Sequence, residues 1–120
     1  MIQIDFIREN KDMIIEELNK KHFRNAKKYV EIILETDAKR MSIQKELDES
    51  ILRINMKSNE IEVYLSNGEI EAAEDIKNKS NILGKKIKEL IKELKDVEEK
   101  LNDKLVKLPN IPHTDVPDIH

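Results

Sequence analysis

Apolar residues recur along the chain at helical intervals and fall into three stretches. Ile4, Ile7, Ile14, Ile15 and Leu18 form the first stripe, which predicts one amphipathic helix over about residues 5–22 with Asp5 as its N-cap. The polar, basic run from Lys20 to Lys28 contains Asn25, a residue that interrupts or caps helices, and marks the connection. A long helix over about residues 27–65 comes next, with Val30, Ile33, Leu34, Ala38, Met41, Leu47, Ile51, Ile54, Ile61 and Leu65 as its apolar positions. From Leu47 onward the spacing is a heptad. Leu47, Ile54 and Ile61 take one position, and Ile51, Ser58 and Leu65 take the other. Before Leu47 the stripe meets Asp37, Arg40 and Gln44 where apolar groups are wanted, so that part packs through a shifted face or against the first helix.

Ser66, Asn67 and Gly68 then supply a turn over residues 66–69, because Asn and Gly tolerate the positive φ of a helix end. The third stretch is the most regular, a helix over about residues 70–107. Ile76, Leu83, Leu90 and Val97 form one series, continued by Lys104; Ser80, Ile87, Leu94, Leu101 and Leu108 form the other. Folding the two long helices about Asn67 and Gly68 pairs Ile61 with Ile76, Ile54 with Leu83, Leu47 with Leu90 and Ser58 with Ser80, positions whose numbers sum to about 137. Apolar layers meet apolar layers, and the two serines share one. The pattern therefore predicts an all-α fold, a long antiparallel two-helix coiled-coil hairpin with a short N-terminal helix packed at its base. Two helices alone make a thin core. Gly84 lies inside the last helix at a propensity cost of about 1 kcal/mol relative to Ala, either as a weak point or close helix contact, or as a place where a partner approaches the backbone.

Composition narrows the function. With 120 residues, 39% charged against 38% hydrophobic and 3% aromatic, the chain suits one elongated-element domain and not a compact multi-domain enzyme. It has no cysteine, hence no disulfide and no thiolate chemistry. His22, His113 and His120 stand too far apart for a zinc site. The carboxylate pairs Glu16 and Glu17, Asp48 and Glu49, and Glu98 and Glu99 sit at exposed helical positions, without the burial that acid and base catalysis needs. No catalytic, cofactor-binding or metal-binding residue is expected. The opening MIQIDFIRENK lacks the apolar core of a secretory signal, and the longest apolar runs are two or three residues, so no membrane partner and a cytoplasmic location are expected.

The tail from Leu108 carries three prolines, which end helicity and favour an extended path. Leu108-Pro109-Asn110-Ile111-Pro112-His113, followed by Val116-Pro117, resembles the linker that joins the N-terminal helical arm of bacterial-type seryl-tRNA synthetases to their catalytic domain. Ile7-Arg8-Glu9-Asn10-Lys11-Asp12-Met13-Ile14 is similar to that family's opening helix. Leu34-Glu35-Thr36-Asp37-Ala38-Lys39-Arg40 is similar to its Leu-Asp-x-x-Arg-Arg segment, with Thr36 in place of the usual leucine.

The resemblance implies a helical arm domain over residues 1–108 and a linker over 109–120 leading towards a catalytic domain in cis. It implies an arm that binds the long variable arm and elbow of serine tRNA, and a homodimeric parent enzyme that attaches L-serine with ATP and magnesium. The motifs of that chemistry are not in these residues, so the arm binds and catalyses nothing itself. The alternative is a coiled-coil scaffold that packs against protein, which a leftover apolar stripe would favour.

Net charge is 22 Lys and Arg against 25 Asp and Glu, or −3, so an RNA partner must meet a local patch. Lys77, Lys79, Lys85, Lys86, Lys88 and Lys92 face one acid, Glu89, within residues 77–92. Residues 57–79 around the turn are instead net −3, with six acids against Lys57, Lys77 and Lys79. The expected RNA contacts are thus on the helical shafts, at Arg53 and the six lysines, as backbone contacts that weaken with salt. Helical spacing spreads the six over more than one face.

Overall fold

A computed structural model describes residues 2–111, and these are all-α. Linker residues 112–120, with His113 and His120, lie outside the described residues. The element order is α1 (Ile4–Glu9), α2 (Lys11–Lys20), α3 (Ala26–Ser66) and α4 (Ile70–Val106). The long helices α3 and α4 pack against each other as an antiparallel hairpin, joined by the short turn around Asn67 and Gly68. The chain divides into two compact units, residues 1–40 with 97–120 and residues 41–96.

In the first unit the single helix expected over residues 5–22 is two helices. Asn10 breaks it with φ −127° and ψ 34°. Its side-chain amide donates to the Phe6 carbonyl at 3.0 Å, beside its own backbone N–H on the same oxygen at 3.1 Å. This local competition for the backbone is why Asn is a poor helix-interior residue. Gln3, not Asp5, stands at the N-cap, and no side chain caps there. Asp5 falls instead in the first turn of α1 and pairs with Arg8 at 2.9 Å.

Packing in this unit is dense. Ile7, Ile14 and Leu18 of the short helices bury against Val30 and Ile33 of α3 and Leu101 and Leu105 of α4, with Leu108 and Ile111 closing the cluster. Asp37, one of the polar residues that interrupted the stripe, is fully buried within it. Arg8 of α1 and Arg40 of α3 both bind its carboxylate. The stripe therefore fails at Asp37 because α3 packs there against the first helix through charge. Tyr29 adds a second tie, its hydroxyl donating to the Lys104 carbonyl at 2.7 Å while the Lys104 ammonium sits 5.5 Å from the ring centroid. Burial raises the Tyr29 pKa above its ordinary 10.0.

In the 41–96 unit the seam is thinner. Ile43, Leu47, Ser50, Ala73 and Leu90 are buried, and Ile54, Ile61, Ile76, Leu83, Ile87 and Leu94 are half-buried. The series Leu47, Ile54, Ile61 faces inward as expected. Its companion does not: Ile51, Ser58 and Leu65 are exposed, and Ile43, Ser50, Lys57 and Tyr64 take the inward position three residues on from each anchor or four before it. The Ser58 hydroxyl turns to its own helix, on the Ile54 carbonyl at 3.1 Å, so no serine pair shares a layer with Ser80. Both candidate series contain two apolar and two polar members, Gln44, Ile51, Ser58 and Leu65 against Ile43, Ser50, Lys57 and Tyr64. Periodicity along α3 alone cannot separate them; packing against α4 does.

The register is nevertheless close to that expected, since Lys86 pairs with Glu46 at 3.0 Å and a methyl built on Gly84 would meet Ile54 at 3.7 Å. Gly68 closes α3 with φ 78°, and Glu69 N–H donates to the Tyr64 carbonyl at 2.9 Å. This is the left-handed cap that glycine accommodates without a Cβ penalty.

Candidate nucleic-acid interface

All seven predicted cations, Arg53, Lys77, Lys79, Lys85, Lys86, Lys88 and Lys92, are exposed. They lie on the second unit, on regular helix, so their directions follow from helical geometry at about 100° per residue. Lys79 and Lys86, seven residues apart, share one edge of α4 beside the seam. Lys77 and Lys88 share the opposite edge. Lys85 and Lys92 project from the outer face, away from α3. The six lysines therefore divide among three faces, as their helical spacing leads one to expect.

Only one of these edges gathers cations from both helices. Arg53 and Lys57 of α3 line an open groove with Lys79, Ile82, Leu83 and Lys86 of α4, with a volume of about 390 Å³. Arg53 and Lys57 are one helical turn apart on α3, where side chains four residues apart are neighbours. Lys57 occupies an inward seam position, is half-buried and lines the groove, the combination expected of a lysine that buries its stem and keeps its charge in water. Ile82 contributes an apolar surface that is 70% exposed.

Two groove cations already hold carboxylates, Lys86 with Glu46 at 3.0 Å and Lys79 with Asp75 at 3.4 Å. Both pairs are about half-exposed and so are weak, on the order of 0–1 kcal/mol. No carboxylate lies within ion-pair distance of Arg53 or Lys57 among the described residues. The groove therefore keeps two cations outside any ion pair, Arg53 and Lys57, and two more that an incoming anion can recruit.

Lys57 was not singled out from sequence, where it counted as part of the acidic turn region. A signal was present: the fold-back sum of 137 places residue 57 opposite residue 80, next to Lys79. The acids near the turn, Glu60, Glu62, Glu69, Glu71 and Glu74, are exposed and lie outside the groove lining. Among the described residues no group of three or more His, Asp or Glu is placed to hold a metal ion, and no helix is long and apolar enough to cross a membrane.

The sequence profile of the Seryl-tRNA synthetase N-terminal domain matches residues 1–112. The chain belongs to that family. Among curated relatives it is 36% identical over 110 residues to the serine–tRNA ligase of Dictyoglomus turgidum, a match covering 92% of this chain and 25% of the relative. It is 35% identical over 117 residues to that of Thermococcus sibiricus, covering 98% of this chain and 25% of the relative. With that of Mycoplasma capricolum it shares 28% identity over 116 residues, 97% of this chain and 28% of the relative. The chain thus spans about a quarter of the length of the relatives it matches. No solved structure gives a significant match.

Proposed function

We propose that this chain is the tRNA-binding arm of a seryl-tRNA synthetase, with the long variable arm and elbow of serine tRNA as its ligand. The observation that supports this reading is the local cation excess within residues 77–92, six lysines against Glu89, in a chain whose net charge is −3 and within a domain of this family. Lysines on long stems suit backbone contacts to structured RNA, which is recognised largely by shape. Attachment of L-serine with ATP and magnesium, a catalytic domain in cis, homodimerisation and a cytoplasmic location belong to the same proposal, as what the family resemblance implies.

The test is binding of a serine-tRNA transcript at two salt concentrations, by the parent chain and by a variant with Lys77, Lys79, Lys85, Lys86, Lys88 and Lys92 changed to Gln. Affinity should fall steeply with salt for the parent and collapse in the variant. Equal affinity and equal salt slope for the two chains would refute the reading.

One observation favours a second reading. Leu52, Met56 and Val63 are 62%, 55% and 58% exposed and recur at helical spacing on the face of α3 turned away from the seam. Such a stripe suits a protein scaffold. Salt-insensitive association of the chain with protein, and none with tRNA, is the outcome that reading requires.

A further inference from the structure

We propose that RNA is held on one edge of the 41–96 unit, in the groove between Arg53 and Lys57 of α3 and Lys79, Ile82, Leu83 and Lys86 of α4, as a phosphodiester strand whose phosphates meet the four cations. This rests on the RNA-binding reading above and narrows it from a lysine-rich stretch to a single face.

Three features select this edge. First, it is the edge where cations converge from both helices, whereas Lys77 with Lys88 and Lys85 with Lys92 sit on separate faces of α4 alone. Second, the groove cations form two short rows: Lys79 and Lys86 stand about 10 Å apart along α4, at 1.5 Å per residue, a span long enough to meet more than one phosphate. Arg53, with a planar guanidinium, offers two parallel donors to a phosphate, and Lys57 offers a point charge one turn away. Third, the lining is not purely ionic. Ile82 and Leu83 place apolar surface between the cations, which an isolated inorganic anion would leave bare and which the carbon face of a ribose can cover.

Charge compensation fits the same face. Glu46 and Asp75 occupy Lys86 and Lys79 through exposed pairs that a phosphate can replace at little cost. The α4 lysines of the groove are thus held by the protein's own carboxylates, while the α3 cations Arg53 and Lys57 stand outside any ion pair.

The test uses the whole 120-residue chain and a serine-tRNA transcript, with affinity read across a salt series and folding checked by circular dichroism. Arg53→Gln with Lys57→Gln should weaken binding about tenfold and reduce the magnitude of the salt slope by between one and two, the loss of two phosphate contacts. Lys85→Gln with Lys92→Gln, which removes the same charge from the outer face, should change affinity less than about twofold. Ile82→Ser should weaken binding about threefold with the salt slope unchanged, because an apolar contact releases no counterions. Arg53→Gln alone, at an exposed position, guards against a fold defect at half-buried Lys57 and should give about half the logarithmic loss. Equal losses in the two double variants, or a larger loss from the outer-face pair, would overturn the groove while leaving RNA binding intact. A parent chain that does not bind the transcript would overturn both.

Discussion

Arg8 of α1 binds the carboxylate of Asp37, 29 residues further along the chain and fully buried in α3. Arg40 closes the other carboxylate oxygen at 2.9 Å. A buried carboxylate is tolerable only while it is paired, and removing one partner of such a pair costs about 3–5 kcal/mol. The Arg8 side chain is 43% exposed and Arg40 stays in place, so the loss for Arg8→Ala should be smaller, about 1–2 kcal/mol. Urea unfolding of the two chains measures it. Equal midpoints would mean that Arg40 alone satisfies Asp37.

Tyr29 makes stability depend on alkaline pH. Its raised pKa means that folding favours the neutral phenol, the form that donates to the Lys104 carbonyl. The contribution is complete below pH 10, the unfolded value, and is lost as pH rises through the higher folded value. Tyr29→Phe should cost about 1 kcal/mol at neutral pH. That difference from the parent should shrink in thermal melts above pH 10. The two chains differ only in the phenolic oxygen, so the comparison isolates it.

Two helix ends carry a positive φ with opposite residue choices. Gly68 at 78° ends α3, while His22 at 60° follows α2, where Phe23 N–H returns to the Leu18 carbonyl at 2.9 Å. His22→Gly should therefore raise stability and Gly68→Ala lower it, each by about 1 kcal/mol, since only glycine adopts this conformation without Cβ strain. Denaturant midpoints shifting in opposite directions would bear this out.

Gly84 has room for a methyl. The nearest side-chain atom to a built Cβ is in Ile54 at 3.7 Å, an ordinary contact. Gly84→Ala should gain about 0.5–1 kcal/mol from helix propensity alone, with tRNA affinity unchanged. A stabilised chain with weakened affinity would instead reveal a ligand approaching that backbone.

On the groove proposal, Glu46 is the competitor of RNA for Lys86. Glu46→Gln removes a half-exposed partner at 3.0 Å and should tighten serine-tRNA binding about two- to fivefold at low salt, with the gain fading as salt screens the pair. Filter binding at two ionic strengths would show it, and weaker binding would contradict it.

Much of the fold was legible in the residues. The heptads of α4 and the Asn67-Gly68 turn named the hairpin and nearly its register, because those positions repeat one chemistry at one interval. The first helix was misread at Asn10, where a single side chain competes for the Phe6 carbonyl and no periodicity is lost. The seam of α3 was half misread, since Ser50, Lys57 and Tyr64 are no more apolar as a set than Ile51, Ser58 and Leu65.

The candidate site shows the same division. Composition located the cations but averaged Lys57 into an acidic neighbourhood, and helical spacing spread the six lysines over several faces without saying which one faces cations of α3. Sequence neighbours on a helix point in different directions, while Arg53, Lys57, Lys79 and Lys86 become neighbours only when α4 returns along α3.

By itself, then, the sequence determined the helical class, the two long partners, their antiparallel turn and the family, all of which rest on local propensity and repeated spacing. Tertiary structure decided which heptad series faces inward, that Asp37 is buried between Arg8 and Arg40, and which cations share a groove. Each of those depends on a second element supplying a charge or a surface from far along the chain, and short-range pattern carries no record of that partner.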